Sequence, residues 1–345
     1  MRRYVPFLLV GICIAIIFLA IVLYTTPFSQ NNNKFTPATK TLTVYTTIPA
    51  DLASIITSEY QKENNVQVNF IPISRDDLTA KIAKDDDLNN VDMVITDSTI
   101  LAKFAEANKL QSVASEQEDI IDAQFKDESN RWIGIWYDPV VFCYNIDYVR
   151  NNWQIPVSWQ DLAQSPNLKI AMTDFMVASA AANILYSLNT LKGEDETMAI
   201  MANIHPKVVR YAKYLSTPVR MAGMGEADVA ISVQSEAIRY INDNYPLSIV
   251  YPEDGVPYRL VSVGILSSTS QKADADNFVN WLLSDDLQMV LQKNKYYFVS
   301  TNYSLLSYKE FAGKNINLID SKANLSEQAK KILLDKWVKN VRLKQ

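Results

Sequence analysis

The chain has 345 residues, long enough for two domains, and a formal net charge of -5 from 33 basic and 38 acidic side chains. That balance, with no basic block interleaved with aromatics, excludes nucleic acid as a partner. A composition of 48% hydrophobic and 21% charged residues is that of an ordinary globular chain, and the two cysteines, Cys13 and Cys143, both fall in apolar surroundings that disfavour a disulfide between them.

At the N-terminus, Arg2 and Arg3 precede an uncharged run from Phe7 to Tyr24. As a helix that run is about 27 Å long, close to the thickness of a bilayer's hydrocarbon core. Basic residues ahead of it hold the N-terminus in the cytoplasm and direct the remainder outward. Residues 1–6 are therefore expected in the cytoplasm and 7–24 as a single transmembrane anchor, with the C-terminal domain in the periplasm or outside the cell. A cleaved signal peptide is the alternative, opposed by the length of the run and by bulky "IVLYTT" where a cut needs small residues. The segment 25–40, polar and aperiodic through "SQNNNKFTPATK", reads as a linker.

From Thr41 onward strands and helices alternate, the pattern of an α/β fold with mainly parallel sheets. "LTVYT" predicts a strand and "ADLASIITSEYQKEN" a helix, with Leu52, Ile55, Ile56 and Tyr60 on one face. "VQVNFIPI" and "VDMVITD" predict further strands, separated by the helix "RDDLTAKIAKD". "RWIGIWYDPVVFCYNIDYVRNN" is extended and aromatic, "LKIAMTD" and "DVAISV" are short strands, and "LSIVYPEDGVPYRLVSVGIL" is a long one broken at "PEDG". A helical tail closes the chain, its last helix starting at a cap from Ser326. Four strands end in short polar side chains at the entrance to a helix: Thr46 and Thr47; Thr96 and Ser98; Thr173 and Asp174, with Ser179 beyond them; Gln234 and Ser235. Singly, each such residue is a helix cap. Together on one sheet edge they surround a cleft of the kind in which open α/β sheets bind ligands, where helix N-termini present unpaired N–H groups.

The stretches "PVSWQDLAQSPNLKIAMTD", "MGEADVAISVQSEAIRYI" and "FVNWLLSDDLQ" resemble bacterial extracellular solute-binding proteins of ABC importers, in the ferric-iron, phosphonate and sugar-phosphate binding branch. The resemblance covers about Thr41 to Asn302. It implies a two-lobed, periplasmic-binding-protein-like type II fold: residues 41–136 and 264–345 as lobe 1, 137–263 as lobe 2, and the C-terminal helices returning to lobe 1. "WIGIWYDPVVFCYN" and "VYPEDGVPYRLVSVGIL" would be the crossovers. It also implies a monomeric receptor that is not an enzyme, needs no cofactor, and hands a small solute to an ABC permease and its ATPase. Iron-binding members carry adjacent tyrosines where this chain has Gln234, Ser235 and Glu236, so no metal ligand is assigned; ferric iron favours hard oxygen donors.

Catalysis needs a nucleophile with a base, a metal cluster or facing carboxylates. The sole histidine, His205, is isolated in "NIHPKV". A carboxylate-dependent hydrolase and a ligand-sensing or adaptor protein built on the same fold are the alternative functions. For the ligand, hydroxyl-tipped helix starts suit an anion or zwitterion, with Arg75 and Arg220 as available cations. Trp136, Tyr137 and Asp138 suit an amine instead. The candidate binding set is accordingly Thr46, Thr47, Thr96, Ser98, Trp136, Tyr137, Asp138, Thr173, Asp174, Ser179, Gln234 and Ser235.

Overall fold

Alternation along the first strand, β1 (Lys40–Thr46), turns Leu42, Val44 and Thr46 inward, as a period of two requires. The computed structural model describes residues 40–82, 84, 88–319 and 325–343, all within the compact unit Lys40–Gln345. The expected membrane segment 7–24 lies outside the described residues. Among those that are described, no helix is long and apolar enough to cross a membrane.

After β1 comes α1 (Ala50–Glu63), burying Leu52, Ala53, Ile56 and Tyr60 along one stripe. Then follow β2 (Val66–Pro72), α2 (Arg75–Ile82), β3 (Met93–Asp97), α3 (Ser98–Glu106) and β4 (Leu110–Gln111). The aromatic stretch forms one strand of 14 residues, β5 (Trp132–Asn145). Beyond it lie α4 (Ile146–Asn151), α5 (Trp159–Gln164), β6 (Ile170–Thr173), α6 (Ser179–Lys192), α7 (Glu194–Ile204) and β7 (Val208–Ala212). The chain continues through α8 (Ser216–Gly223), β8 (Val229–Val233), α9 (Gln234–Asn242) and β9 (Leu247–Val250). Past the "PEDG" break run β10 (Tyr258–Leu266), α10 (Lys272–Leu282), α11 (Asp285–Lys293), β11 (Val299–Ser300), α12 (Leu306–Ala312) and α13 (Glu327–Trp337).

The strands order as β2-β1-β3-β10-β5-β8-β6-β7, with β4 on β10 and both β9 and β11 on β5. The two ends of this array, β2-β1-β3 and β8-β6-β7, are parallel. The pairs that join them through β10 and β5 are antiparallel, because the chain reverses as it passes from one end to the other. β5 divides its length: Trp132–Pro139 pairs with β10, and Val140–Tyr144 pairs with β8.

Two main cores follow from this division. The first gathers Leu42, Val44, Ile95, Trp136 and Tyr137 with Phe278 and Leu287. The second gathers Phe142, Trp159, Ile170, Leu185 and Ile231. Val141 and Cys143, on the opposite face of β5, enter a smaller cluster with Val219, Ala230 and Ala237. Each core is covered by its own helices, giving an α/β fold of two lobes joined by β5 and by the passage from β9 to β10. The C-terminal helices divide between the lobes. α10 and α11 pack on the first core. By contrast α13 buries Leu333 and Trp337 in the second, where Trp337 meets Phe175 at 4.6 Å and Tyr211 at 5.9 Å between ring centroids. Phe175 and Tyr211 supply the aromatic partners of that indole.

Candidate binding cleft

A cavity of about 300 Å³ opens where elements of both lobes meet. Its walls come from the start of α2 (Arg75), the β3–α3 junction (Asp97, Ser98, Thr99), β10 (Tyr258, Arg259, Leu260), the approach to α6 and its first three turns (Phe175 to Thr190), and one face of α13 (Glu327, Lys330, Leu334). Such a volume lies at the small end of ligand sites.

Asp97 is the centre of the site's electrostatics. The carboxylate is 8% exposed, and burial on that scale requires compensation by opposite charge. The compensation is double: Arg259 donates from Nε to Oδ1 at 2.5 Å, and the Arg75 guanidinium pairs with Oδ2. Burial lowers the affinity of both guanidiniums for their protons, and at Arg75 the Arg259 charge adds to the effect. A second carboxylate repeats the arrangement at the edge of the cavity. Glu327 pairs with Lys103 of α3 at 2.8 Å and with Lys330 of its own helix at 3.1 Å. Lys330 is only 13% exposed and lies over the Tyr186 ring at 5.9 Å. Burial pushes its ammonium below the usual lysine range against the opposing pull of Glu327, and Lys103 and Arg75 push the same way as burial.

Two helix starts, of α3 and α6, face this cavity, and neither Asp97 nor Ala178 caps its helix with a side-chain hydrogen bond. The Ala181 N–H donates to the Ala178 carbonyl at 3.0 Å, and the positive dipole ends of both helices favour a negative group in the cavity.

Of the residues expected to bind, Ser98 and Ser179 line the cavity, as does Arg75. Thr47 and Thr96 share a hydrogen bond between hydroxyls at 2.9 Å, at the ends of neighbouring strands. Thr46 is buried, donating to the Ile95 carbonyl at 3.0 Å and accepting from the Ile48 N–H at 3.1 Å, which ties β1 to β3 instead of capping α1. Trp136 and Tyr137, expected beside the ligand, are core residues: Trp136 stacks on Phe298 and Tyr137 on Phe125. Asp138 accepts from Ser235 through the backbone N–H at 3.0 Å and the hydroxyl at 2.6 Å. Gln234 accepts from the Tyr251 hydroxyl at 2.7 Å. Thr173 donates to the Tyr214 carbonyl at 3.3 Å, and Asp174 pairs with Arg342 at 3.2 Å. None of these last five lines the cavity. Arg220 points elsewhere, toward Met224 and Glu226. Arg259, Asn183, Tyr186, Glu327 and Lys330 were not foreseen, since each stands on an otherwise ordinary strand or amphipathic helix.

The described residues contain no group of three or more His, Cys, Asp or Glu side chains placed to share a metal ion. His205 is engaged with the Tyr211 hydroxyl at 2.7 Å, and Cys143 is buried.

A family model of bacterial extracellular solute-binding proteins matches residues 42–296. An uncharacterized protein of Haemophilus influenzae is 29% identical over 197 residues, 55% of this chain and 56% of that one. The Fe(3+)-binding periplasmic protein of Serratia marcescens is 25% identical over 213 residues, 60% of each chain. The match thus spans somewhat over half the length of these relatives. Among solved structures, the periplasmic binding protein AfuA from Actinobacillus pleuropneumoniae, with fructose-6-phosphate bound, superposes with a TM-score of 0.69 at 22% identity, covering 89% of this chain and all of that one.

Proposed function

The chain belongs to the bacterial extracellular solute-binding proteins, and from that premise we propose that it captures a small anionic solute, of phosphate-monoester type, between its two lobes. One observation carries this reading: Asp97 sits buried between Arg75 and Arg259, against two helix starts without side-chain caps. The carboxylate sits between the two arginines as the anionic group of a ligand would. The same arginines can take a phosphate with charge-assisted, bidentate geometry while Asp97 keeps one of them in place. The fructose-6-phosphate held by AfuA supports this class of ligand. Ferric iron, bound by the Serratia relative, is less well supported, because Gln234 and Ser235 offer no phenolate.

Residues 7–24 would tether the receptor to the membrane, residues 25–40 would give it reach, and a permease with its ATPase would receive the solute. Titration calorimetry on the full-length chain tests the ligand class, with fructose 6-phosphate, inorganic phosphate, citrate, ferric ion and spermidine as the panel. Binding of a phosphate compound is expected, weakened about tenfold or more in Arg75→Gln, as loss of a hydrogen bond to a charged group implies. Heat released only with spermidine or ferric ion would overturn the reading.

A further inference from the structure

We propose that the C-terminal helix α13 is a specificity wall of the cleft, on which Lys330 selects solutes carrying two negative charges over those carrying one. The inference rests on the anion-binding function above. It starts from where the family match stops: residues 42–296 include Arg75, Asp97 and Arg259, whereas Glu327, Lys330 and Leu334 lie beyond it. These three are spaced by three and four residues and so share one face of α13, the face that lines the cavity. The neighbouring stripe, Leu333 and Trp337, is buried in the second core and fixes that orientation.

The charges repeat a single design. Asp97 lies between two cations, Arg75 and Arg259; Glu327 lies between two more, Lys103 and Lys330. Each group of three carries one surplus positive charge. Together they offer two, the complement of a phosphate monoester above its second ionisation near pH 6. Lys330 lines the cavity, whereas Lys103 does not. Glu327 has Lys103 as a second partner, so Lys330 can turn to the ligand without leaving that carboxylate alone. A monoanion is satisfied by Arg75, Arg259 and the helix starts, and gains little from Lys330.

The test compares glycerol 3-phosphate with glycerate at pH 8 on the full-length protein. Both probes carry a three-carbon hydroxylated skeleton, and they differ in the acid group and its charge. Calorimetry is run on the parent chain, Lys330→Gln, Lys330→Arg and Arg75→Gln, with melting curves to establish folding. Lys330→Gln is expected to weaken glycerol 3-phosphate about tenfold and glycerate less than about twofold, collapsing the preference, with Lys330→Arg restoring most of it. If Lys330→Gln leaves the preference intact while Arg75→Gln abolishes binding, α13 is no specificity element and the anion receptor stands. If the parent chain binds neither probe, the anion reading fails and this inference with it.

Discussion

Asp138 stands on β5 opposite Arg259 of β10, where the strand passes from one lobe to the other. Burial raises its pKa to about 7; the two hydrogen bonds from Ser235 and the Arg259 charge oppose that rise, while Glu236 adds to it. In the unfolded chain the same group titrates near 3.9. Between about pH 4 and pH 7 the folded state therefore holds the extra proton, and stability must fall as pH rises through that window. Asp138→Asn keeps an acceptor for the Ser235 N–H and removes the charge. At pH 8 it is expected to raise the melting temperature by about 2–4 °C for each kcal/mol of relieved desolvation, and to flatten the pH dependence between 4 and 7. An unchanged pH profile would show that the carboxylate is not the source. In the sequence this residue reads with Trp136 and Tyr137 as suited to an amine ligand, and its bonding to Ser235 across 97 positions carries no local signal. The same holds for the site's charges: Arg259 meets Asp97 across 162 positions of sequence, a distance at which no local pattern signals a partner. Ser98 and Ser179 were legible because they mark junctions into helices, and junctions have sequence signatures.

At the scale of elements, strand ends and helix starts followed from hydrophobic period and turn chemistry, and the Ser326 cap of α13 is present, accepting from the Ala329 N–H at 3.1 Å. The destination of that helix did not follow. Its apolar stripe, Leu333 with Trp337, announces burial without naming the surface that receives it, and both lobes offer one. The choice is made by Phe175, Tyr211 and Val341, which assemble around Trp337 only in the folded chain. The strand-end hydroxyls teach a related lesson: Thr46 and Thr173 bond to carbonyls of other segments, so tertiary partners displaced the caps expected from spacing. Trp337→Ala is expected to cost about 3–5 kcal/mol, read as a lower urea midpoint, because it removes the anchor of α13 from a packed core. A loss below about 1 kcal/mol would mean that α13 rests on the second lobe without being held there.

Considered as a whole, the molecule places the charged residues that line its cavity on both sides of its own joint. Arg75, Asp97 and the start of α3 belong to the first lobe's elements, whereas α6 and α13 pack on the second core. β5 and the passage from β9 to β10 carry the main chain between the sheets, the chain crosses again from α12 on the first core to α13 on the second, and the Lys103–Glu327 ion pair is a lateral tie between α3 and α13. A solute gripped by both sides binds the closed arrangement more tightly than any open one, and shifts the population by that difference alone. Scattering on the full-length chain should therefore show a smaller radius of gyration with a saturating phosphate monoester than without. Trp132 and Trp136 report poorly on this motion, since both are buried inside the first core and move with it. A parallel melting experiment fixes whether the ligand is bound at all: at a hundred times its dissociation constant it adds about 2.7 kcal/mol. Stabilisation of that size with unchanged scattering curves would establish a rigid, preformed cleft, and would remove closure from the mechanism while leaving the binding site in place.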